Sequence, residues 1–206
     1  MPVRPLRRAP AAAIALVAVA GLLAGCSSGS GDDKTKTNAG TLLAAGLQAQ
    51  KAGDTQAAKQ LYQQVIAKDP SNVYAHYNLG VIAQQAKDNS TALREYGAAL
   101  AANPRYVPAL YNEATIYGDS NPALAITTYQ QVISLQKQSP TAYLNLGLLE
   151  VKSGQKQKGY ADLLTALHQD PSLAAGLPPK LKRQLSQASK SGQGNSTQPS
   201  PSPSAS

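Results

Sequence analysis

The chain has 206 residues, with 19 Lys and Arg against 11 Asp and Glu, two His, one Cys, no Trp and no Phe. A single Cys excludes an internal disulfide and a Cys-based structural zinc site. Abundant Ala with Tyr as the only aromatic suits closely packed helices better than a sandwich or barrel. The formal charge of +8 drops to +5 without the segment Met1–Gly25, because Arg4, Arg7 and Arg8 leave with it. A surplus that small, taken as spread along the chain, argues against a nucleic acid partner.

Met1 to Arg8 carries three arginines and no acid, and Ala11 to Leu23 is an unbroken apolar run followed by small residues up to Cys26. A charged start, a short apolar middle and a small-residue end are the parts of a secretory signal peptide. A membrane-spanning helix needs about 20 apolar residues, more than this run supplies. Leu23-Ala24-Gly25-Cys26 resembles the lipobox of bacterial lipoproteins in all four positions. The resemblance implies cleavage after Gly25 and acylation of Cys26, with palmitate-type chains holding the protein at the cell membrane on its extracytoplasmic face. The alternatives are an ordinary signal cleaved without lipid, or a buried Cys without a role. Arg7-Arg8 lacks the rest of a twin-arginine export motif. Ser27 to Asn38 contains no apolar residue, so residues 26–40 are expected to form a flexible tether.

The remainder repeats itself. Gly46, Ala58, Tyr62 and Pro70 recur at one fixed offset as Gly80, Ala92, Tyr96 and Pro104. Four units follow: Ala39–Asn72, Val73–Tyr106, Val107–Ser139 and Pro140–Leu173. Position 8 holds Gly46, Gly80, Ala114 and Gly147; position 20 holds Ala58, Ala92, Ala125 and Gly159; position 24 holds Tyr62, Tyr96, Tyr129 and Leu163. Two helices cross closely only where one presents a small residue to the other's bulky side chain. Pro at position 32 ends the second helix of a unit. Asp54, Asn89 and Asn121 stand where helix caps are needed, Asn121 with Pro122 at the first helical position. The third unit is one residue shorter than the others, the gap lying in the turn around Gly118–Asn121, and it has Lys137 where the others have Pro.

These units resemble the tetratricopeptide repeat, a pair of antiparallel helices of about 34 residues. The resemblance implies an all-α solenoid of about four helix-turn-helix repeats plus a C-terminal capping helix, over residues 41–189. Its first helix is expected to start at Thr41. Leu177, Leu181 and Leu185 recur every four residues with Lys180, Lys182 and Arg183 between them, which gives a helix over Pro179–Ser189 with one apolar stripe to cover the last repeat. Residues 190–206 are Ser-, Pro-, Gln- and Gly-rich and are expected to be disordered.

Chemistry is thinly represented. His76 falls at a packing position and His168 near a helix C-terminus, where a cation is favoured. Neither has a metal-ligand spacing, and neither a phosphate loop nor a serine elbow is present. No cofactor, no metal and no enzymatic activity are expected.

Binding is the expectation that the resemblance carries. In the tetratricopeptide family the first helix of each unit lines a concave groove where partners lie. The matching positions are Tyr74, Tyr77, Asn78 and Val81 in the second unit, Tyr111, Asn112 and Thr115 in the third, and Leu144, Asn145 and Leu148 in the fourth. Asn78, Asn112 and Asn145 form a ladder whose amides can pair with the backbone of an extended peptide, or can serve helix packing alone. The groove lacks the basic clamp with which some relatives hold a C-terminal carboxylate. The implied function is a membrane-anchored, extracytoplasmic scaffold for a protein or peptide partner. The alternative is a structural envelope lipoprotein touching wall polymer or membrane through its tail and the basic face of Lys152, Lys156, Lys158, Lys180, Lys182 and Arg183.

Overall fold

The computed structural model describes residues 31–194, with side chains from 38 to 190; Cys26 and residues 195–206 lie outside the described residues. Nine α-helices are present among them: α1 (Gly31–Lys51), α2 (Thr55–Lys68), α3 (Val73–Gln85), α4 (Asn89–Ala102), α5 (Val107–Ser120), α6 (Pro122–Leu135), α7 (Pro140–Lys152), α8 (Lys156–Gln169) and α9 (Pro179–Gly194). A 3-10 turn, Pro171–Gly176, joins α8 to α9. None of the described helices is long and apolar enough to cross a membrane.

The helices pair as α1–α2, α3–α4, α5–α6 and α7–α8, and each pair then packs on the next, the arrangement of a tetratricopeptide-repeat solenoid. Steric fit sets the pairing. A Cβ on Gly46 would lie 2.6 Å from the Tyr62 ring, and one on Gly80 would lie 2.5 Å from the Tyr96 ring. Tyr62 and Tyr96 are both wholly buried. In the last pair Gly147 and Gly159 face each other so closely that a Cβ on Gly147 would meet the Gly159 carbonyl at 2.7 Å. Glycine there lets two backbones touch, and Leu163 takes the place of the large Tyr ring.

The turns repeat as well. Gly53, Lys87 and Gly154 occupy the same place between the two helices of their units, all with positive φ, at 81°, 61° and 87°. The third unit has no such residue. Asn121 ends α5 and caps α6 at once, its side chain accepting from the Leu124 N–H at 3.2 Å. The residue missing from that unit is therefore the left-handed one. Asp54 and Asp88 cap α2 and α4 by accepting from Ala57 and Thr91 at 3.0 Å each. The cap of α4 is thus Asp88, one residue before the expected Asn89, which is the first residue of the helix. Asp88 stands one full repeat after Asp54, so the period itself marks it.

Both ends of the solenoid are longer than their sequence suggests. α1 begins at Gly31, well ahead of Thr41, and takes in part of the stretch expected to be a tether. Ala39, in that stretch, is only 3% exposed and packs with Ala58, Tyr62 and Ala75. Once a helix is nucleated, each further residue adds a hydrogen bond at little cost, even without apolar side chains. At the other end α9 runs past Ser189 to Gly194, taking in the start of the segment expected to be disordered. Leu177, Leu181 and Leu185 are buried in one cluster with Leu163, so the apolar end of the last repeat is covered.

Candidate functional site

α3, α5 and α7 carry the residues singled out for binding. Tyr74 is 56% exposed, Leu148 is 37% exposed and Thr115 is also open; the others are half-buried. Thr115, Gly118 and Asp119 of α5 line a cleft of about 260 Å³ with Asn145, Leu148 and Lys152 of α7, floored by Tyr129. Lys152 Nζ lies 3.2 Å from Asp119 Oδ1, so the cation at that cleft is paired. The structure brings Thr115, Asn145 and Leu148 together. Tyr74 and Tyr77 belong to a separate aromatic group one repeat away.

That group is edge-to-face. The Tyr106 ring stands 5.9 Å from Tyr74 and 5.3 Å from Tyr77, at interplanar angles of 87° and 80°. Tyr77 also lies 5.9 Å from Tyr96. Such contacts contribute about 0.5–1.5 kcal/mol each beyond burial, so Tyr77 is held in place by packing. Val81 leans on the same cluster, Tyr111 on that of the third unit and Leu144 on that of the fourth.

The asparagine ladder has a structural task. Asn112 Nδ2 donates to the Tyr96 hydroxyl at 3.1 Å, and that hydroxyl donates to Gln84 Oε1 at 2.6 Å. Asn145 Nδ2 donates to the Tyr111 hydroxyl at 2.9 Å and the Tyr129 hydroxyl at 3.3 Å. Asn78 donates instead to the Tyr74 carbonyl, 2.7 Å away on its own helix. Two of the three amides thus tie a repeat to the tyrosine of the one before it. Tyr96 is pushed up to about 12, first by burial, with the Asn112 bond opposing. Burial raises Tyr129 too, against the hydrogen bonds of Thr115 and Asn145. A sequence signal was available, since Tyr and Asn stand 16 residues apart at both joints. Gln50 and Gln84 likewise stand 12 residues before the tyrosine hydroxyls they accept from.

A further polar group lies elsewhere, and no sequence motif marks it. Glu150, at the end of α7, is wholly buried. Lys158 Nζ is 3.1 Å from its Oε1, at ion-pair distance but without a hydrogen bond, so both carboxylate oxygens lack one. Asp162 of α8 is pushed up to about 6, first by burial, then by the neighbouring Glu150 carboxyl, with Lys158 opposing. His76 bridges its own unit and the preceding one: Nδ1 lies 2.8 Å from Glu95 Oε2 and Nε2 lies 3.0 Å from the Pro70 carbonyl. His168 is exposed in the last turn of α8. The described residues contain no group of three His, Cys, Asp or Glu suited to a metal ion.

The family model for the tetratricopeptide repeat matches residues 43–108, about a third of the chain. No curated protein matches the sequence. A crystal structure of MamA superposes with a TM-score of 0.60 at 24% identity, covering 69% of this chain and 84% of that one. MamA from Desulfovibrio magneticus gives 0.58 at 22% identity, with 66% and 78% covered. A tetratricopeptide repeat protein from Parabacteroides merdae gives 0.59 at 21%, with 66% of this chain and 54% of that one covered. At these identities the likeness is one of fold. The family match over the first two repeats, the helix pairing and these superpositions agree: the described chain is a tetratricopeptide-repeat solenoid.

Proposed function

We propose that the chain is a lipid-anchored, extracytoplasmic scaffold that holds a protein partner along the face made by α3, α5 and α7, without chemistry of its own. One observation carries this reading. Tyr74, Thr115 and Leu148 are exposed on successive first helices, whereas the other groove positions are half-buried, and a cleft opens between the last two of those helices. Leu148 beside the cleft and Tyr74 one repeat away are exposed large apolar side chains of the kind a partner can bury. The partner is protein rather than nucleic acid on this reading, because the cation at the cleft, Lys152, is paired with Asp119. The anchor rests on the sequence around Cys26.

The structure changes which variants test the groove. Asn112→Ala or Asn145→Ala removes a bond between repeats and disturbs the solenoid itself, so neither separates binding from folding. Tyr74→Ala with Leu148→Ser leaves the tyrosine hydroxyl bonds untouched. This double variant, checked by circular dichroism, is expected to lose the partners captured by the parent from envelope extracts, whereas Gln64→Ala with Gln130→Ala, on exposed positions of second helices, keeps them. Equal capture by both double variants overturns the assignment of the binding face. For the anchor, Cys26→Ala is expected to abolish fatty-acid labelling and release the protein from membranes; retention without labelling overturns the lipid.

A further inference from the structure

The charge surplus has an address. Residues 39–136 carry six basic and six acidic side chains, whereas residues 137–190 carry eight basic and three acidic, a surplus of five. This corrects the expectation of an even spread. One of the three acids, Glu150, is wholly buried against Lys158 and faces no solvent.

α9 holds the most concentrated part. Lys180, Lys182, Arg183 and Lys190 are all exposed, and α9 has no acid and no aromatic residue. None of the four forms an ion pair among the described residues; Lys182 Nζ reaches only the Ala175 carbonyl, at 3.5 Å. With about 3.6 residues per turn, Arg183 and Lys190 point away from Leu181 and Leu185, and Lys180 and Lys182 flank them. Exposed Lys156, at the start of α8, adds to the same end of the solenoid.

We propose that this cationic face of α9 rests on an anionic bilayer surface. The inference goes beyond the partner groove and relies on the reading that the chain is tethered to a membrane. Three features favour a bilayer over another polyanion. The apolar side of α9 is already buried against the last repeat, so the contact is electrostatic and shallow, as on a headgroup plane. Three of the four cations are lysines, point charges on flexible stems that suit a fluid array of headgroups better than a fixed phosphate geometry. There is no aromatic side chain on α9 for bases to stack on. Each cation near an anionic surface raises partitioning by roughly fivefold, and four together by several hundredfold. A solenoid tied at its N-terminus and attracted at its C-terminal end would be held to the membrane from both ends.

The test uses the chain from residue 26 onward, which retains every described residue, with Cys26→Ala so that nothing can be acylated and the apolar run Ala11–Leu23 is absent. A fluorescent dye is placed on Ser186→Cys, an exposed position of α9. The protein is mixed with vesicles of phosphatidylcholine alone, or with about 30% phosphatidylglycerol, each containing an acceptor-labelled lipid. Energy transfer from α9 is expected only with phosphatidylglycerol and is lost at about 0.5 M salt, where screening shortens to a few ångströms. Changing Lys180, Lys182, Arg183 and Lys190 together to Gln is expected to weaken the titration several hundredfold. The same change at Lys51, Lys59, Lys68 and Lys87 leaves it intact. Equal transfer in both vesicle types, an unchanged titration in the α9 variant, or displacement by duplex DNA at equal charge concentration overturns the proposal. No acyl chain takes part, so failure here is distinct from failure of the lipid anchor.

Discussion

Gly80→Ala and Gly97→Ala make the same chemical change on adjacent helices and should move stability in opposite directions. Both glycines are helical, and replacing Gly by Ala inside a helix favours folding by about 1 kcal/mol. At Gly97 nothing lies within 4 Å of the added Cβ, so that gain is realised in full. At Gly80 the Cβ would stand 2.5 Å from Cε1 and 2.6 Å from Cδ1 of Tyr96. Carbon atoms rest about 3.5–4.0 Å apart, so the ring must retreat by about 1 Å. It has nowhere free to go, being wholly buried with its hydroxyl held by Gln84 and Asn112. Overpacking of this kind costs about 1–3 kcal/mol, and disturbing the hydroxyl bonds adds about 1. Subtracting the helix gain leaves Gly80→Ala less stable by about 2 kcal/mol, against a gain of about 1 for Gly97→Ala. Urea unfolding followed by far-ultraviolet circular dichroism measures both. A Gly80→Ala variant as stable as Gly97→Ala would refute the claim that the Gly–Tyr contact sets the spacing of the helix pair. Ala114 opposite Tyr129 shows that a pair built around Ala exists, so what is measured is how far α3 and α4 can open toward that setting.

Three other outcomes follow from the geometry. Lys87 holds a left-handed conformation at the place where Gly53 and Gly154 sit, so Lys87→Gly should stabilise the chain by up to about 1 kcal/mol in urea unfolding, and Gly154→Ala should destabilise it by about 1–2. Asp162 has its folded pKa raised to about 6, so its contribution is fully present below its ordinary value near 3.8 and is lost as pH rises through 6; Asp162→Asn should flatten the fall in thermal stability between those values. Tyr96 is raised to about 12, so its contribution persists below pH 10 and is lost toward 12. Followed by tyrosinate absorbance, Tyr96→Phe should leave the early phase of the titration unchanged and remove one tyrosine from the late phase; loss from the early phase would show that Tyr96 is not held in its protonated form.

The fold is legible in the sequence because its determinants are local and periodic. Gly80, Ala92 and Tyr96 each state a size that the crossing of two helices requires, and the period repeats the statement. Residue type alone puts the cap of α4 one position late, because Asn89 is a good capping residue; only the register with Asp54 picks out Asp88. The start of α1 escapes the same reasoning because a polar stretch attached to a stable helix can continue it, a property of the neighbour and not of the stretch. The site is harder to read. An Asn in a groove position looks the same whether its amide faces a partner or a tyrosine hydroxyl of the preceding repeat. Asn112 and Asn145 take the second course through contacts 16 residues away. Glu150 and Asp162 go unmarked because burial of a carboxylate depends on how closely Gly147 and Gly159 bring α7 and α8 together, and neither acid carries that information itself.

The proposed binding face is tested most directly by site-specific photocrosslinking from the full chain in the cells that make it. A crosslinking residue placed at Tyr74, Thr115 or Leu148 is expected to capture the same protein band from all three positions. One placed at Gln64 or Gln130, exposed on the second helices, is expected to leave that band unlinked. Capture from Gln64 and Gln130 but not from Tyr74, Thr115 and Leu148 would contradict the account.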